Sequence, residues 1–284
     1  MMRRQSDLEI AVKAASRAGE LLLQLRQGVA TGEVARTPFD VNALRADGDR
    51  DANRAITELI LADRPDDTLL SEEAADDPRR LSADRVWIVD PLDGTREFGE
   101  RDTAGVWRDD FAVHVALWER GQGLTLGVVG LPALGVIYSS DAPPEVPPSP
   151  RGALRIAVSR TRPPEFISAL EDSGAATLAP MGSAGVKVMA VVRGDVDAYI
   201  HAGGQYQWDS AAPVAVALAA GLIATRLDGS PLRYNVPELL LPDLLVCHPD
   251  RAKEVRAHLD AAGFGPGRRG GAGAGGAGAA ESAG

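Results

Sequence analysis

The sequence predicts an α+β fold, because two amphipathic helices come first and a run of strands follows them. Apolar residues recur at helical spacing between positions 8 and 25, and the same spacing returns between positions 52 and 60, before Pro65. Four apolar segments with the composition of strands then follow one another, at residues 86–89, 111–117, 124–131 and 135–138. Helices placed ahead of consecutive strands are typical of an α+β protein and not of a regular βαβ repeat.

Composition and charge narrow the class of protein. The 284 residues are 45% hydrophobic and 25% charged, which is typical of a globular chain that forms one large domain or two smaller ones. A net charge of −10 disfavours nonspecific binding to a nucleic-acid polymer. The single cysteine, Cys247, excludes an intrachain disulfide framework, and no apolar run has the length of a membrane span or a signal-peptide core. We therefore expect a cytoplasmic protein without a membrane partner.

A proline-rich segment at residues 142–150 predicts a boundary between two halves of the chain. Its prolines make it stiff and extended, and they cannot enter the interior of a sheet. We expect an N-terminal α+β half at residues 1–150 and a C-terminal α/β half at residues 151–262. Two strands and two helices are predicted in the second half, at residues 154–158, 196–200, 186–192 and 213–220. Residues 263–284 are rich in glycine and alanine and are expected to form a disordered tail.

The segment Asp90-Pro91-Leu92-Asp93-Gly94-Thr95 is the strongest functional signal. It follows an apolar run, so the pattern places two carboxylates on a turn at the end of a buried strand. A turn folds neighbouring oxygens around one point, and hard divalent cations take oxygen ligands. Gly94 allows an anion to approach the backbone closely, and Thr95 adds a hydroxyl beside it. The segment therefore favours a metal site that attracts phosphate; a plain β-turn that closes the strand is the alternative.

Two further acidic positions strengthen the metal hypothesis. Glu72 and Glu73 follow the short apolar stretch 68–71, so Glu72 also lies at a strand end. Asp209 precedes an alanine-rich segment, and taken alone it is better explained as the N-cap of a helix than as a ligand. Together, the carboxylates of four residues supply what a two-metal phosphoryl-transfer site requires: Glu72, Asp90, Asp93 and Asp209.

Residues 87–98 resemble the signature of the inositol monophosphatase superfamily of magnesium-dependent phosphatases. Ser71-Glu72-Glu73 and Trp208-Asp209-Ser210-Ala211-Ala212 are similar to the family's other two signatures in order and spacing, and the resemblance covers roughly residues 7 to 250. Thr95-Arg96-Glu97-Phe98, residues 182–187 and Asp197-Ala198-Tyr199 resemble the bisphosphate nucleotidase branch. The resemblance implies a layered α-β-α-β-α sandwich with its active site between the two halves.

The same resemblance assigns roles to residues. It implies that Glu72, Asp90, Asp93 and the carbonyl of Leu92 hold a first and a shared Mg²⁺, and that Asp209 holds a second Mg²⁺; a third ion remains open. Asp49 would pair with Thr95 to orient the attacking water. Two neighbours, Asp47 and Asp51, compete for the role of Asp49, and the whole cluster is also explained as a solvated helix start. The segment 39–44 departs from the family pattern, which puts the third metal in doubt.

Substrate contacts are implied for both halves of the chain. They comprise the metal-site residues Glu72, Leu92, Asp93 and Asp209, the turn residues Gly94 and Thr95, and Ser183 and Lys187. In the second half, Ser183 and Lys187 would contact a second phosphate or a ribose. Alternatively, Ser183 is a polar helix cap and Lys187 is a snorkelling surface lysine. Tyr199 and Trp208 are candidates to pack near an adenine, although aromatic residues at strand ends are more often part of the core.

The expected activity is the hydrolysis of a small phosphate ester. The branch resemblance favours 3′-phosphoadenosine 5′-phosphate as substrate, in sulfate activation, with AMP and phosphate as products. An inositol-1-phosphate or fructose-1,6-bisphosphate phosphatase would keep the same metal site and is the alternative. A noncatalytic phospho-ligand binder should lack a ligand or Thr95, and this chain has them all. The sequence leaves the oligomeric state open, with a homodimer as one option.

Overall fold

Two five-stranded sheets and seven α-helices make up the described part of the protein, which comprises residues 5–31, 40–161 and 163–265 of a computed structural model. The helices are α1 (Asp7–Thr31), α2 (Val41–Asp63), α3 (Thr95–Phe98), α4 (Glu165–Asp172), α5 (Ala184–Val192), α6 (Gln207–Ala219) and α7 (Ala252–Ala261). The strands are β1 (Thr68–Ser71), β2 (Arg85–Asp93), β3 (Ala112–Glu119), β4 (Gly123–Leu131), β5 (Val136–Ser139), β6 (Leu154–Ser159), β7 (Ala176–Met181), β8 (Ala198–Tyr206), β9 (Ile223–Thr225) and β10 (Leu240–Cys247).

The two sheets differ in topology. The first follows chain order, β1-β2-β3-β4-β5, with β1 parallel to β2 and the remaining pairs antiparallel. The second has the order β7-β6-β8-β10-β9, with β6 parallel to both β7 and β8 and the other pairs antiparallel. Consecutive strands joined by short connections produce the first arrangement, whereas the crossovers through α4 and α5 produce the parallel pairs of the second.

Alternation along the strands divides the core into layers. In β2, Trp87 and Val89 pack against α1 and α2, while Val86 and Ile88 face α5 and α6. The opposite face of the second sheet packs against α4 and α7, with Ile167 and Leu259 fully buried there. The layers are therefore helices, sheet, helices, sheet, helices, and the predicted α-β-α-β-α sandwich is confirmed.

Several element boundaries differ from the prediction. Helix α2 begins at Val41, because the Asp40 carboxylate caps it by accepting hydrogen bonds from the Asn42 and Ala43 N–H groups at 2.9 and 3.2 Å. Residues 47–51 therefore lie inside the helix, and the expected helix start at this cluster is wrong. Helix α6 begins at Gln207, six residues before the predicted start, and includes Pro213. The short elements α4, β7, β9 and α7 were not predicted.

The central layer contains residues from both predicted halves. Ile88 and Val129 of the first half and Val188 and Tyr199 of the second belong to one buried cluster around α5 and α6. The boundary near residue 150 stays a prediction, and residues 266–284 of the predicted tail lie outside the described residues. In the described part of the chain, no helix is both long and apolar enough to cross a membrane.

Candidate active site

The acidic segment at residues 90–95 forms an irregular strand end and not a simple turn. Strand β2 continues through Asp93, and its register with β3 shifts between Asp90 and Asp93. Gly94 follows with φ of 91°, and α3 begins at Thr95. The hydroxyl of Thr95 donates to the Leu92 carbonyl at 3.0 Å, which fixes the end of the strand to the first turn of α3.

Helix α2 brings Asp49 to this strand end. The same Thr95 hydroxyl lies 3.2 Å from the carboxylate of Asp49 and shares its single hydrogen between this carboxylate and the Leu92 carbonyl. Asp47 and Asp51 form ion pairs with Arg50, at 2.8 and 3.2 Å, so neither competes for Thr95. The structure therefore places Asp49, out of the three aspartates, beside Thr95.

Gly48 explains why α2 approaches so closely. A Cβ atom at this position would lie 2.9 Å from the ring of Phe98 and 3.1 Å from the side chain of Leu92. Glycine inside a helix destabilises it by roughly 1 kcal/mol relative to alanine, so a glycine kept there often indicates close packing. Gly48, next to Asp49, was such an indication in the sequence, and the prediction did not use it.

The four predicted ligands come from three separate segments. The N–H of Glu72 donates to the Val89 carbonyl at 3.3 Å, because β1 runs parallel to β2, and this places Glu72 beside Asp90. Asp90 is 1% exposed, and Asp93 lies at the end of the same strand. Asp209 lies in the first turn of α6. Its carboxylate accepts the N–H of Tyr206 at 2.8 Å, so Asp209 closes the helix start from its third position and is not the expected N-cap.

Electrostatics show that these carboxylates are close to one another. The pKa of Glu72 is raised to about 7, mainly by burial of its carboxyl group; a hydrogen bond with Asp90 opposes the rise, and the charges of Asp93 and Glu73 contribute to it, although the residue as a whole is exposed. Burial raises the pKa of Asp209 to about 8, with the charges of Asp93 and Glu72 adding to the effect. The pKa of Asp90 is raised well above its usual range by burial and then by these acidic neighbours.

The pKa of Asp49 is shifted in the same direction. Burial raises it to about 7, the charges of Glu73 and Glu72 add to the rise, and the hydrogen bond from Thr95 opposes it. A carboxyl group with a pKa near neutrality can hold or release a proton at physiological pH. Asp49 is therefore a titratable carboxyl group next to the Thr95 hydroxyl.

The donor chemistry of the site fits a divalent cation. Carboxylate oxygens and a main-chain carbonyl are the ligands that Mg²⁺ takes in proteins, and mutual repulsion among the acids would be relieved by bound positive charge. Within the described residues, however, no three Asp, Glu, His or Cys side chains already stand at metal-ligating positions. Hydrogen-bond donors of the protein itself hold one of these carboxylates. Asp93 accepts the Ser183 hydroxyl at 2.5 Å and the Gly185 N–H at 2.7 Å.

Ser183 and Lys187 lie on the second half's side of the cluster. Ser183 is the N-cap of α5, since its hydroxyl accepts the Val186 N–H at 3.0 Å while donating to Asp93. Lys187 is 5% exposed, so it is not a snorkelling surface lysine; its ammonium donates to the Gly182 carbonyl at 3.0 Å. Burial lowers the pKa of Lys187, and the nearby acids, Asp93 first among them, oppose that shift.

The aromatic residues near the site divide into buried and exposed ones. Tyr199 and Trp208, the predicted neighbours of an adenine, are 1% and 7% exposed and belong to the core. Tyr206 stacks on Trp208 with ring centroids 4.6 Å apart and planes at 6°, and it is 43% exposed. Tyr206 was not singled out from the sequence, although it lies only two residues before Trp208 of the Trp208-Asp209 signature.

Contacts between the two halves surround the site and were not predicted. Arg160, after β6, donates to the carboxylate of Glu97 at 2.7 Å. The N–H of Gly182 donates to the carboxylate of Asp110 at 2.7 Å. The residues of each pair are more than sixty positions apart, so no local pattern could have indicated them.

The chain belongs to the inositol monophosphatase family, whose sequence model matches residues 3–260. Enzymes of this family are metal-dependent phosphatases. The chain is 51% identical over 247 residues to the 3′-phosphoadenosine 5′-phosphate phosphatase of Mycobacterium bovis, covering 83% of this chain and 86% of that protein. It is 32% identical over 248 residues to the 3′(2′),5′-bisphosphate nucleotidase CysQ of Salmonella typhimurium, covering 82% of this chain and 96% of that protein.

A solved structure supports the same assignment. The crystal structure of CysQ from Bacteroides thetaiotaomicron, a bacterial member of the inositol monophosphatase family, superposes with a TM-score of 0.69 at 28% identity. The superposition covers 85% of this chain and 97% of that one. The predicted resemblance to the family and to its bisphosphate nucleotidase branch is therefore confirmed.

Proposed function

We propose that this protein hydrolyses the 3′-phosphate of 3′-phosphoadenosine 5′-phosphate, releasing AMP and inorganic phosphate, and that it serves sulfate activation in the cytoplasm. The observation that carries the proposal is the Thr95–Asp49 hydrogen bond beside a cluster of acidic side chains with raised pKa values. The 51% identity to a protein named for this activity supports the choice of substrate.

Magnesium is proposed as the cofactor, with two ions, or three, at each site. Glu72, Asp90, Asp93 and the Leu92 carbonyl would hold a first and a shared ion, and Asp209 would hold a second. Bound Mg²⁺ supplies positive charge that neutralises the phosphate and the leaving oxygen and lowers the pKa of a nucleophilic water.

The protein's own groups would orient the reaction. The Thr95 hydroxyl, already directed at Asp49, would bind the attacking water in line with the scissile bond, and Asp49 would hold its proton. The backbone N–H groups of Gly94 and Thr95 would contact the oxygens of the phosphate that is cleaved. Glu72, Asp93 and Asp209 would contact the substrate through the cations.

The second half would distinguish substrates. Ser183 and Lys187 would contact the phosphate that is not cleaved. Residues 1–150 would carry most of the metal ligands. For that contact, the Lys187 ammonium would exchange one of its present acceptors, the Gly182 or Met181 carbonyl, for a phosphate oxygen. A Lys187→Ala variant should then raise KM for the bisphosphate and spare a monophosphate that lacks the second group.

A substrate panel tests the proposal. Phosphate release from 3′-phosphoadenosine 5′-phosphate, inositol 1-phosphate and fructose 1,6-bisphosphate is measured with Mg²⁺, and again with excess chelator as control. We expect the largest kcat/KM for the nucleotide. A preference for inositol phosphate would reassign the enzyme to that substrate, and substantial turnover in chelator would contradict the metal site.

A further inference from the structure

His114 is the third residue of strand β3 and lies directly opposite Asp90 in the register with β2. Its side chain is fully buried. The Nε2 atom lies 3.3 Å from the carboxylate of Asp93, and the Nδ1 atom lies 3.3 Å from the carbonyl oxygen of Trp208. The imidazole thus stands between a candidate ligand from the first half and the residue immediately before Asp209, a candidate ligand from the second.

The surroundings of His114 indicate that burying this ring destabilises the fold. The two nearest positions of β3 on the same face, Ala112 and Ala116, are small and apolar. A buried polar atom without a hydrogen bond destabilises a folded protein, and Nε2 of His114 has no hydrogen-bond partner among the described residues. An apolar side chain would fill the same space without that cost, so packing alone does not explain a histidine here.

Gly185 provides a second sign that the ring position matters. A Cβ atom at residue 185 would lie 2.1 Å from Nε2 of His114. Any other residue at 185 would therefore displace the imidazole from Asp93 or push α5 away. The first turn of α5 lacks a side chain at the one point where the ring needs room to reach the carboxylate.

We propose that His114 is a positioning residue for the metal site. The Nε2 edge of the ring packs against the Asp93 carboxylate at 3.3 Å, and the Ser183 hydroxyl and the Gly185 N–H donate hydrogen bonds to the same carboxylate. A neutral imidazole has one N–H, and on Nδ1 that N–H donates to the Trp208 carbonyl, which connects the surroundings of Asp93 to the first turn of α6 and so to Asp209. Groups behind metal ligands set ligand orientation and thereby metal affinity. The inference rests on the proposed metal site but not on the identity of the substrate.

The test compares His114→Leu with Val115→Ala. Val115 is the next residue of β3, is fully buried, and faces α1 and α2 on the opposite side of the sheet. Val115→Ala should lower the melting temperature without touching either ligand. Mn²⁺ binding to the metal-free protein is measured by electron paramagnetic resonance, and the Mg²⁺ concentration for half-maximal activity is measured in parallel.

We expect His114→Leu to weaken Mn²⁺ binding and to raise the Mg²⁺ requirement by about 10- to 100-fold, as for other residues behind metal ligands. The kcat at saturating Mg²⁺ should fall less than the affinity does. Val115→Ala should keep wild-type affinity for both ions. His114→Gln, which retains a polar group, serves as the second variant if the leucine protein does not fold, and it should show a smaller loss in the same direction.

Two outcomes would overturn the proposal. Unchanged Mn²⁺ affinity in a folded His114 variant would mean that the ring has a purely structural role. An equal loss of Mn²⁺ affinity in Val115→Ala would mean the same. Mn²⁺ binding needs no substrate, so it also separates this inference from the proposed function. A loss of affinity at His114 in an enzyme that does not cleave the nucleotide would support the positioning role and refute the substrate assignment.

Discussion

Two buried aspartates of this protein, Asp90 and Asp197, have the same exposure and opposite electrostatics. Each is 1% exposed. The pKa of Asp90 is raised by burial and by its acidic neighbours. Burial would also raise the pKa of Asp197, but hydrogen bonds from Arg155 and Ser149 outweigh it, and the pKa lies below its usual range. Arg155 donates to Asp197 through its guanidinium at 2.7 Å and through its backbone N–H at 2.8 Å.

The difference separates a functional site from a structural one. Around Asp197, Ser149 and Arg155 donate hydrogen bonds that stabilise the charged carboxylate. These bonds connect the start of β8 to β6 and to the segment before β6. Around Asp90, the neighbouring side chains are themselves acidic, and they raise its pKa together with burial. Strongly raised pKa values in a group of acids are typical of sites kept for chemistry. The two regions should therefore respond in opposite ways to loss of a charge.

The largest effect is expected for Asp90→Asn. It should lower kcat by about a thousandfold or more, because a metal ligand is lost. The free energy of unfolding of the metal-free protein should stay the same or rise, since one of several repelling charges is removed. Steady-state kinetics and urea unfolding in chelator check both parts. If residues 90–95 were only a turn, asparagine would serve equally well and activity would be nearly unchanged.

Asp197→Asn should show the reverse pattern. Unfolding free energy should fall by about 3 kcal/mol, because Arg155 loses its buried partner, while kcat stays within a factor of about two. The folded-state pKa of Asp197 is lowered, so its stabilising effect is present above the unfolded pKa of about 3.9 and is lost as pH falls further. The difference in stability between wild type and variant should therefore narrow below about pH 4. A variant as stable as wild type at pH 7 would contradict the structural role.

Thermal unfolding with and without Mg²⁺ should also distinguish the surroundings of Asp90 from those of Asp197. A cation that binds only the folded protein stabilises it by about 2.7 kcal/mol at a concentration one hundred times its dissociation constant. Thermal unfolding of the wild type should therefore shift upward with Mg²⁺, and Asp90→Asn should show a much smaller shift. Asp197→Asn serves as the control and should keep the full shift from its lower starting point.

The smallest effect is expected at the exposed aromatic ring of Tyr206. Stacking of a base on an aromatic side chain contributes about 1–3 kcal/mol. If the open face of Tyr206 receives the adenine, Tyr206→Ala should raise KM for the nucleotide about tenfold or more, and Tyr206→Phe should be close to wild type. Inositol 1-phosphate, which has no base, provides the control. An equal rise in KM for both substrates would exclude stacking.

The sequence was sufficient where local spacing carries the information. The order of helices and strands in the first half, and the positions of Glu72, Asp90, Asp93 and Asp209, follow from apolar periodicity and from the family's motifs. The family's spacing favoured Asp49, but Asp47 and Asp51 stayed competitors because the choice depends on how α2 packs against Thr95. The pairing of His114 with Asp93 could not be predicted, since it depends on the register of β3 and on the absence of a side chain at residue 185.

The second half was predicted less completely for a physical reason. Helices α4 and α7 have only eight and ten residues, which is too short for apolar spacing to distinguish them from loops. Asp197 was recognised as part of a family motif, but its role as the partner of two arginines depends on residues more than forty positions away. The sequence does not indicate which of two equally buried aspartates has a raised pKa and which a lowered one, because the shift depends on neighbours brought together by folding.

The shared layer of α5 and α6 has a consequence for how such an enzyme can diversify. Both faces of this layer are buried, one against the first sheet and the other against the second sheet. Exchange of a whole half between relatives would place two unmatched surfaces in one core. New substrate preferences are therefore more accessible through point changes in the loops around Ser183 and Tyr206 than through recombination of halves.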